Sequence, residues 1–191
     1  KIHFNEKDKF NYLKILVLGG SQGAKVFAED LPPIFEKIKN LELPIKVYQQ
    51  CQKNQNSKLI EFYQKAEIEH EIFNFKDNII DYYLKTNLVI TRSGASVLGE
   101  LINIKIPFIS IPLPTSADNH QYKNAEFYYK KGYGLLLEEK DIKNKLFELI
   151  KNIFEEKSTV KNMLSNQRQY SDKDIYENIN VQIEKIVDEK N

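Results

Sequence analysis

The sequence predicts an α/β fold, an open parallel sheet of about six strands with helices on both faces. Three observations predict it. Short apolar runs alternate along the chain with segments whose apolar residues recur at helical spacing. The first run, Lys14-Ile15-Leu16-Val17-Leu18, is apolar at four successive positions rather than at every second residue, as in a buried parallel strand. Strand-to-helix junctions are glycine-rich, first at Gly19-Gly20-Ser21-Gln22-Gly23 and again at Gly94.

Taken in order, residues 14–18 form the first strand, and Leu31, Phe35 and Ile38 mark the helix after it. Residues 45–48 follow Pro44 as the second strand, and 59–66 are helical. A third strand is expected at 70–75, a short helix at 79–85, and a fourth strand at 88–91. The next helix spans 96–103, the fifth strand 107–112, and another helix 119–131. Gly132 and Gly134 bracket a turn into a sixth strand at 135–137. Ile142, Leu146, Leu149, Ile150 and Ile153 form one apolar helical stripe, and Ile175, Ile179, Ile183, Ile186 and Val187 another. The segment 157–174 between them is polar and reads as a connection that sets the last helix away from the sheet.

Composition bounds the partners. With 28 basic against 27 acidic residues the formal charge is +1, which excludes a nucleic-acid surface built on bulk positive charge. Cys51 stands alone, so no internal disulfide forms; it reads as a small strand or loop residue. No apolar stretch approaches the roughly 18 residues of a membrane span. The expectation is a soluble, cytoplasmic chain.

Three clusters carry chemistry. At the first, the run 14–18 ends in glycines and a helix opens, so the free N–H groups of its first turn face an anion, with Gly20, Ser21, Gln22 and Gly23 as phosphate candidates. The second is Thr91-Arg92-Ser93-Gly94-Ala95-Ser96-Val97, followed by Glu100 two turns into the helix. A carboxylate there can accept both hydroxyls of a ribose, or Glu100 is an ordinary solvated residue. Arg92 is either a phosphate clamp or a surface charge near the sheet edge. The third is the loop from Pro112 to Ala125, whose His120, Gln121 and Asn124 can read sugar hydroxyls. Its plainer reading is that Asp118 or Asn119 caps the helix. No second His or Cys lies at ligand spacing from His120, so a metal site is not expected.

Together, Gly19-Gly20-Ser21-Gln22-Gly23-Ala24, Arg92-Ser93-Gly94-Ala95 with Glu100, and Asp118-Asn119-His120-Gln121 with Asn124-Ala125 make the chain resemble the C-terminal, nucleotide-sugar-binding domain of the MurG family. The resemblance implies a Rossmann-like C-terminal half of a GT-B glycosyltransferase that moves N-acetylglucosamine from UDP-N-acetylglucosamine to lipid I, forming lipid II. It implies residues 1–12 as an interdomain linker remnant, 13–166 as the UDP-sugar-binding domain, and 167–191 as a C-terminal helix that packs towards a missing N-terminal domain. By position, Ser21, Gln22 and Gly23 would face the diphosphate, and Ala95, Ser96 and Val97 would line the uridine. Glu100 would take the ribose, Phe75 and the Lys76 main chain the uracil edge, and His120 and Gln121 the N-acetylglucosamine. Asn119 stands where the family often has a charged residue, and the residues after Ala95 also depart from its commonest pattern. No cofactor or metal is implied. The general base, the lipid I contacts and the membrane surface would belong to the N-terminal half, on the cytoplasmic face of a bacterial inner membrane. The residues also leave open a nucleotide-sugar-binding subunit of a split transferase and a UDP-sugar enzyme of other specificity on the same fold. A dinucleotide site fits less well, because the glycine spacing differs and no acidic residue ends the second strand near Tyr48.

Overall fold

A computed structural model describes residues 12–20, 24–76 and 78–170. The chain alternates β1 (Leu13–Leu18), α1 (Lys25–Lys39), β2 (Ile45–Gln50), α2 (Asn56–Lys65), β3 (Glu69–Phe73), α3 (Ile80–Lys85), β4 (Leu88–Thr91), α4 (Ala95–Asn103), β5 (Phe108–Ser110), α5 (His120–Lys130) and β6 (Leu135–Leu136), then ends in α6 (Ile142–Glu155) and α7 (Lys157–Gln169). The strands form one parallel sheet in the order β3-β2-β1-β4-β5-β6. The third strand starts one residue earlier and stops two residues sooner than the apolar pattern suggests.

Successive side chains of each strand enter opposite cores. Leu13, Ile15 and Val17 of β1 pack with Phe27, Leu31 and Phe35 of α1 and with Leu146 and Ile150 of α6. Leu16 and Leu18 pack instead with Tyr82 and Tyr83 of α3 and with Leu98, Leu101 and Ile102 of α4. The two central strands are thus covered on both faces, which is why residues 15–18 of β1 and 88–90 of β4 are consecutive apolar residues. Asn87 ties the entry to β1 into the sheet by accepting from Lys14 N (2.8 Å) and donating to Tyr12 O (2.8 Å).

The polar segment after α6 corrects the expectation of a loose connection. It folds as α7, and Val160, Met163 and Leu164 supply a buried stripe at helical spacing. Gln167, wholly buried, donates from Nε2 to Ile106 O (3.1 Å) and Tyr133 O (2.6 Å), the backbone entering β5 and β6. The boundary expected after residue 166 thus falls inside α7, and the stripe expected from Ile175 to Val187 lies outside the described residues.

Gly134 shows how close the packing is. A Cβ there would run into the ring of Phe108, itself fully buried in β5. Gly134→Ala is expected to cost about 1–3 kcal/mol by forcing that ring off its seat. Urea unfolding of the two proteins measures it, and equal midpoints would show that the ring gives way freely.

Candidate functional site

The chain leaves β1 towards β2 on one side, while β4 pairs with β1 on the other, so the strand order reverses between β1 and β4. Adjacent loops diverge at such a point and leave a crevice at the carboxyl ends of the strands. Here a cleft of about 630 Å3 is lined by Gly19, Gly20, Ala24, Lys25, Arg92, Gln121 and Glu139, among others. Gly20 turns the chain out of β1 with φ +81°, left-handed backbone that side chains seldom adopt, although among the described residues nothing stands near enough to obstruct a Cβ.

Two helices begin beside this crevice. Ala24 is the N-cap residue of α1 and Gly94 that of α4; neither supplies a side-chain cap, and neither first turn carries an acidic residue. The opening N–H groups keep their partial positive charge for an anion. Ser93, just before α4, is fully buried, and its Oγ has no hydrogen-bond partner among the described residues. Ser21, Gln22 and Gly23 lie outside the described residues, as does Asp77.

Glu100 sits exposed on α4, and its Oε2 accepts a hydrogen bond of 3.0 Å from the buried Tyr83 hydroxyl of α3. Burial pushes the Tyr83 phenol well above its ordinary pKa, and the Glu100 charge adds to that, so the hydroxyl stays a donor. Ala95 and Ser96 are exposed and Val97 half-buried in the first turn of α4. Phe75 follows β3 with 69% of its surface exposed, and Lys76 beside it is also exposed. This is unusual for a phenylalanine and leaves its face open to a planar ring.

Arg92 is neither a surface charge nor near a sheet edge. It directly follows the central strand β4 with 8% exposure, donating from Nη1 to Ile111 O (3.3 Å) and Pro112 O (3.2 Å). Nη2 pairs with Glu139, and the guanidinium lies 4.6 Å from the centre of the Phe27 ring. It borders the cleft with most of its donors already used.

The α5 loop holds a second correction. Asp118 and Asn119 both adopt left-handed backbone, with φ +47° and +56°, and Asn119 at the N-cap position makes no side-chain capping bond. Capping needs extended backbone at that position. Ser116 Oγ accepts from Gln121 N instead, at 3.3 Å. His120 is exposed, and its Nδ1 lies 2.8 Å from Ala117 O, to which it donates, with Nε2 left towards solvent. Gln121 Oε1 accepts from both Ser93 N (3.2 Å) and Leu113 N (3.0 Å), while Asn124 Nδ2 donates to Ser93 O (3.1 Å). One turn of α5 thereby holds the loop after β4, and among the described residues the Gln121 amide nitrogen has no hydrogen-bond partner. Among the described residues no group of three or more His, Cys, Asp or Glu side chains could hold a metal. The arrangement is suited to holding an anion and a hydroxylated ring.

Residues 14–179 match the family model described as glycosyltransferase family 28 C-terminal domain. The chain belongs to this family. A family 28 relative from Pelagibacter ubique, strain HTCC1062, named UDP-N-acetylglucosamine–N-acetylmuramyl-(pentapeptide) pyrophosphoryl-undecaprenol N-acetylglucosamine transferase, is 37% identical over 195 aligned residues, covering 99% of this chain and 54% of the relative. A protein of the same name from Rickettsia bellii, strain RML369-C, is 38% identical over 86% of this chain and 48% of its own length. This chain thus spans about half the length of the curated relatives it matches. Among solved structures, MurG of Acinetobacter baumannii superposes with a TM-score of 0.73 at 26% identity, covering 86% of this chain and 46% of that one. MnaA of S. aureus, in a co-structure with UDP, shares the fold at a TM-score of 0.56 and 13% identity, over 85% of this chain and 43% of its own.

Two side chains of this family 28 domain escaped the sequence reading. Tyr83 carries no motif signal, and Glu139 gains its role only by meeting Arg92 across the cleft.

Proposed function

We propose that this domain holds UDP-N-acetylglucosamine as the donor half of an inverting glycosyltransferase that delivers N-acetylglucosamine to lipid I, forming lipid II for peptidoglycan synthesis. The strongest support is the match over 99% of the chain to a relative whose name states that transfer. The cleft suits it physically. Residues 20–23 and the opening N–H groups of α1 would hold the diphosphate and stabilise its charge as UDP leaves, without a metal. Phe75, the Lys76 main chain and the first turn of α4 would hold uridine, with Glu100 on the ribose. His120 Nε2 and the Gln121 amide would meet the N-acetylglucosamine hydroxyls.

Lipid I, the general base and contact with the cytoplasmic face of the inner membrane would belong to the other half of the enzyme. Among the described residues no helix is long and apolar enough to cross a membrane, so any attachment would come from a surface or from elsewhere in the protein. Through lipid II, the activity would serve cell shape and division.

Calorimetric titration of the chain tests the donor assignment. UDP-N-acetylglucosamine and UDP are expected to bind with or without a chelator, and UDP-glucose more weakly than UDP-N-acetylglucosamine. No binding of either uridine ligand would refute the reading. Equal affinity for all UDP-sugars would favour an enzyme of other specificity on the same fold.

A further inference from the structure

We infer that Tyr83 is a positioning residue for nucleoside recognition: its hydroxyl holds one oxygen of Glu100 and so aims the carboxylate at the ribose diol. The inference rests on the proposed contact between Glu100 and the ribose. It adds a residue on a different helix that makes that contact selective.

Glu100 is exposed on α4, and an unrestrained glutamate there would sample many rotamers. A ligand that needs one rotamer must pay for ordering it, and affinity falls accordingly. The 3.0 Å bond from Tyr83 removes part of that cost before any ligand arrives. Tyr83 is suited to the task because it is itself fixed. The residue is 4% exposed and belongs to the core that Leu16, Leu18 and Leu98 form between the sheet and α4. The helix that carries it is closed by Thr86, whose Oγ1 donates to the carbonyls of Tyr82 (3.1 Å) and Tyr83 (3.3 Å).

The donor is also of the right kind. A phenol is neutral and leaves the carboxylate its full negative charge, whereas a lysine or arginine would neutralise it and compete with the ligand. A carboxylate offers about four lone-pair sites. With one taken on Oε2, the rest of that oxygen and all of Oε1 can accept the two adjacent hydroxyls of a ribose. Among the described residues the Tyr83 bond is the one hydrogen bond to the Glu100 carboxylate.

The test is calorimetric titration of the chain and its Tyr83→Phe variant with UDP and with 2′,3′-dideoxy-UDP. The substitution removes the hydroxyl and keeps the ring in its packing. UDP affinity is expected to fall about three- to tenfold, the cost of ordering one side chain at binding. Affinity for the dideoxy ligand should not change, so discrimination between the two narrows, and in a Glu100→Ala background Tyr83→Phe should change nothing further. Equal losses for both ligands would make Tyr83 a support of the fold only and overturn the inference. Unchanged UDP affinity in Tyr83→Phe, alongside a clear loss in Glu100→Ala, overturns the positioning role while the ribose contact stands. Unchanged UDP affinity in Glu100→Ala overturns the contact and the inference together.

Discussion

Glu100→Ala is expected to weaken UDP binding tenfold or more, the largest effect of any single substitution in the proposed nucleoside site. Two ribose hydroxyls donating to a charged acceptor contribute about 1.5–3 kcal/mol each, and about 1.4 kcal/mol corresponds to a factor of ten. The substitution also strips the Tyr83 hydroxyl of its acceptor, so a modest loss of stability should accompany it. Glu100→Gln separates the two effects. The glutamine oxygen can still accept from Tyr83, so stability should recover, while the missing charge keeps UDP binding weak. Titration of both variants with UDP, beside a thermal melt of each, reads the two quantities. A folded Glu100→Ala chain that binds UDP as tightly as the parent would return Glu100 to an ordinary solvated helix residue.

Arg92→Met should destabilise the fold by about 2–4 kcal/mol, the contact of the guanidinium with the Phe27 ring being lost along with its hydrogen bonds. The change leaves the carbonyls of Ile111 and Pro112 without their donor and Glu139 without its cation. Breaking a fully buried pair costs about 3–5 kcal/mol. The Glu139 side chain keeps 26% of its surface, so solvent relieves part of the loss. Urea unfolding is the measurement. UDP affinity should fall only as far as loosening of the loops allows, because most of the guanidinium is committed to the protein. Unchanged stability with a large loss of UDP affinity would make Arg92 a phosphate clamp after all.

The order of the strands in the chain, the parallel sheet and the two glycine-rich turns are legible without coordinates. Parallel strands covered on both faces must be apolar at nearly every position, as at Ile15, Leu16, Val17 and Leu18, and a helix of useful length must follow each strand to bring the chain back. Those demands act on neighbouring residues, so periodicity records them. The helix α7 escaped because only Val160, Met163 and Leu164 mark its buried face, and its deepest anchor, Gln167, is polar.

The residue types of the site stand in the sequence, but their assignments do not. Arg92 reads equally well as a clamp or a surface charge until Glu139, 47 residues away, is seen against it. Gln121 reads as a sugar contact and Asn124 as a further site candidate, yet both also bond the Ser93 backbone, a use that depends on α5 passing the loop after β4. The same holds for Tyr83 and Glu100, brought together because α3 crosses back from the edge strand β3 to lie beside α4. The sequence by itself determined the parallel sheet and its helical crossovers, because each follows from local pattern and chain connectivity. Only the tertiary structure decided which polar groups face the crevice with donors or acceptors to spare, because a side chain's hydrogen-bonding capacity is finite and its partners are distant in the chain.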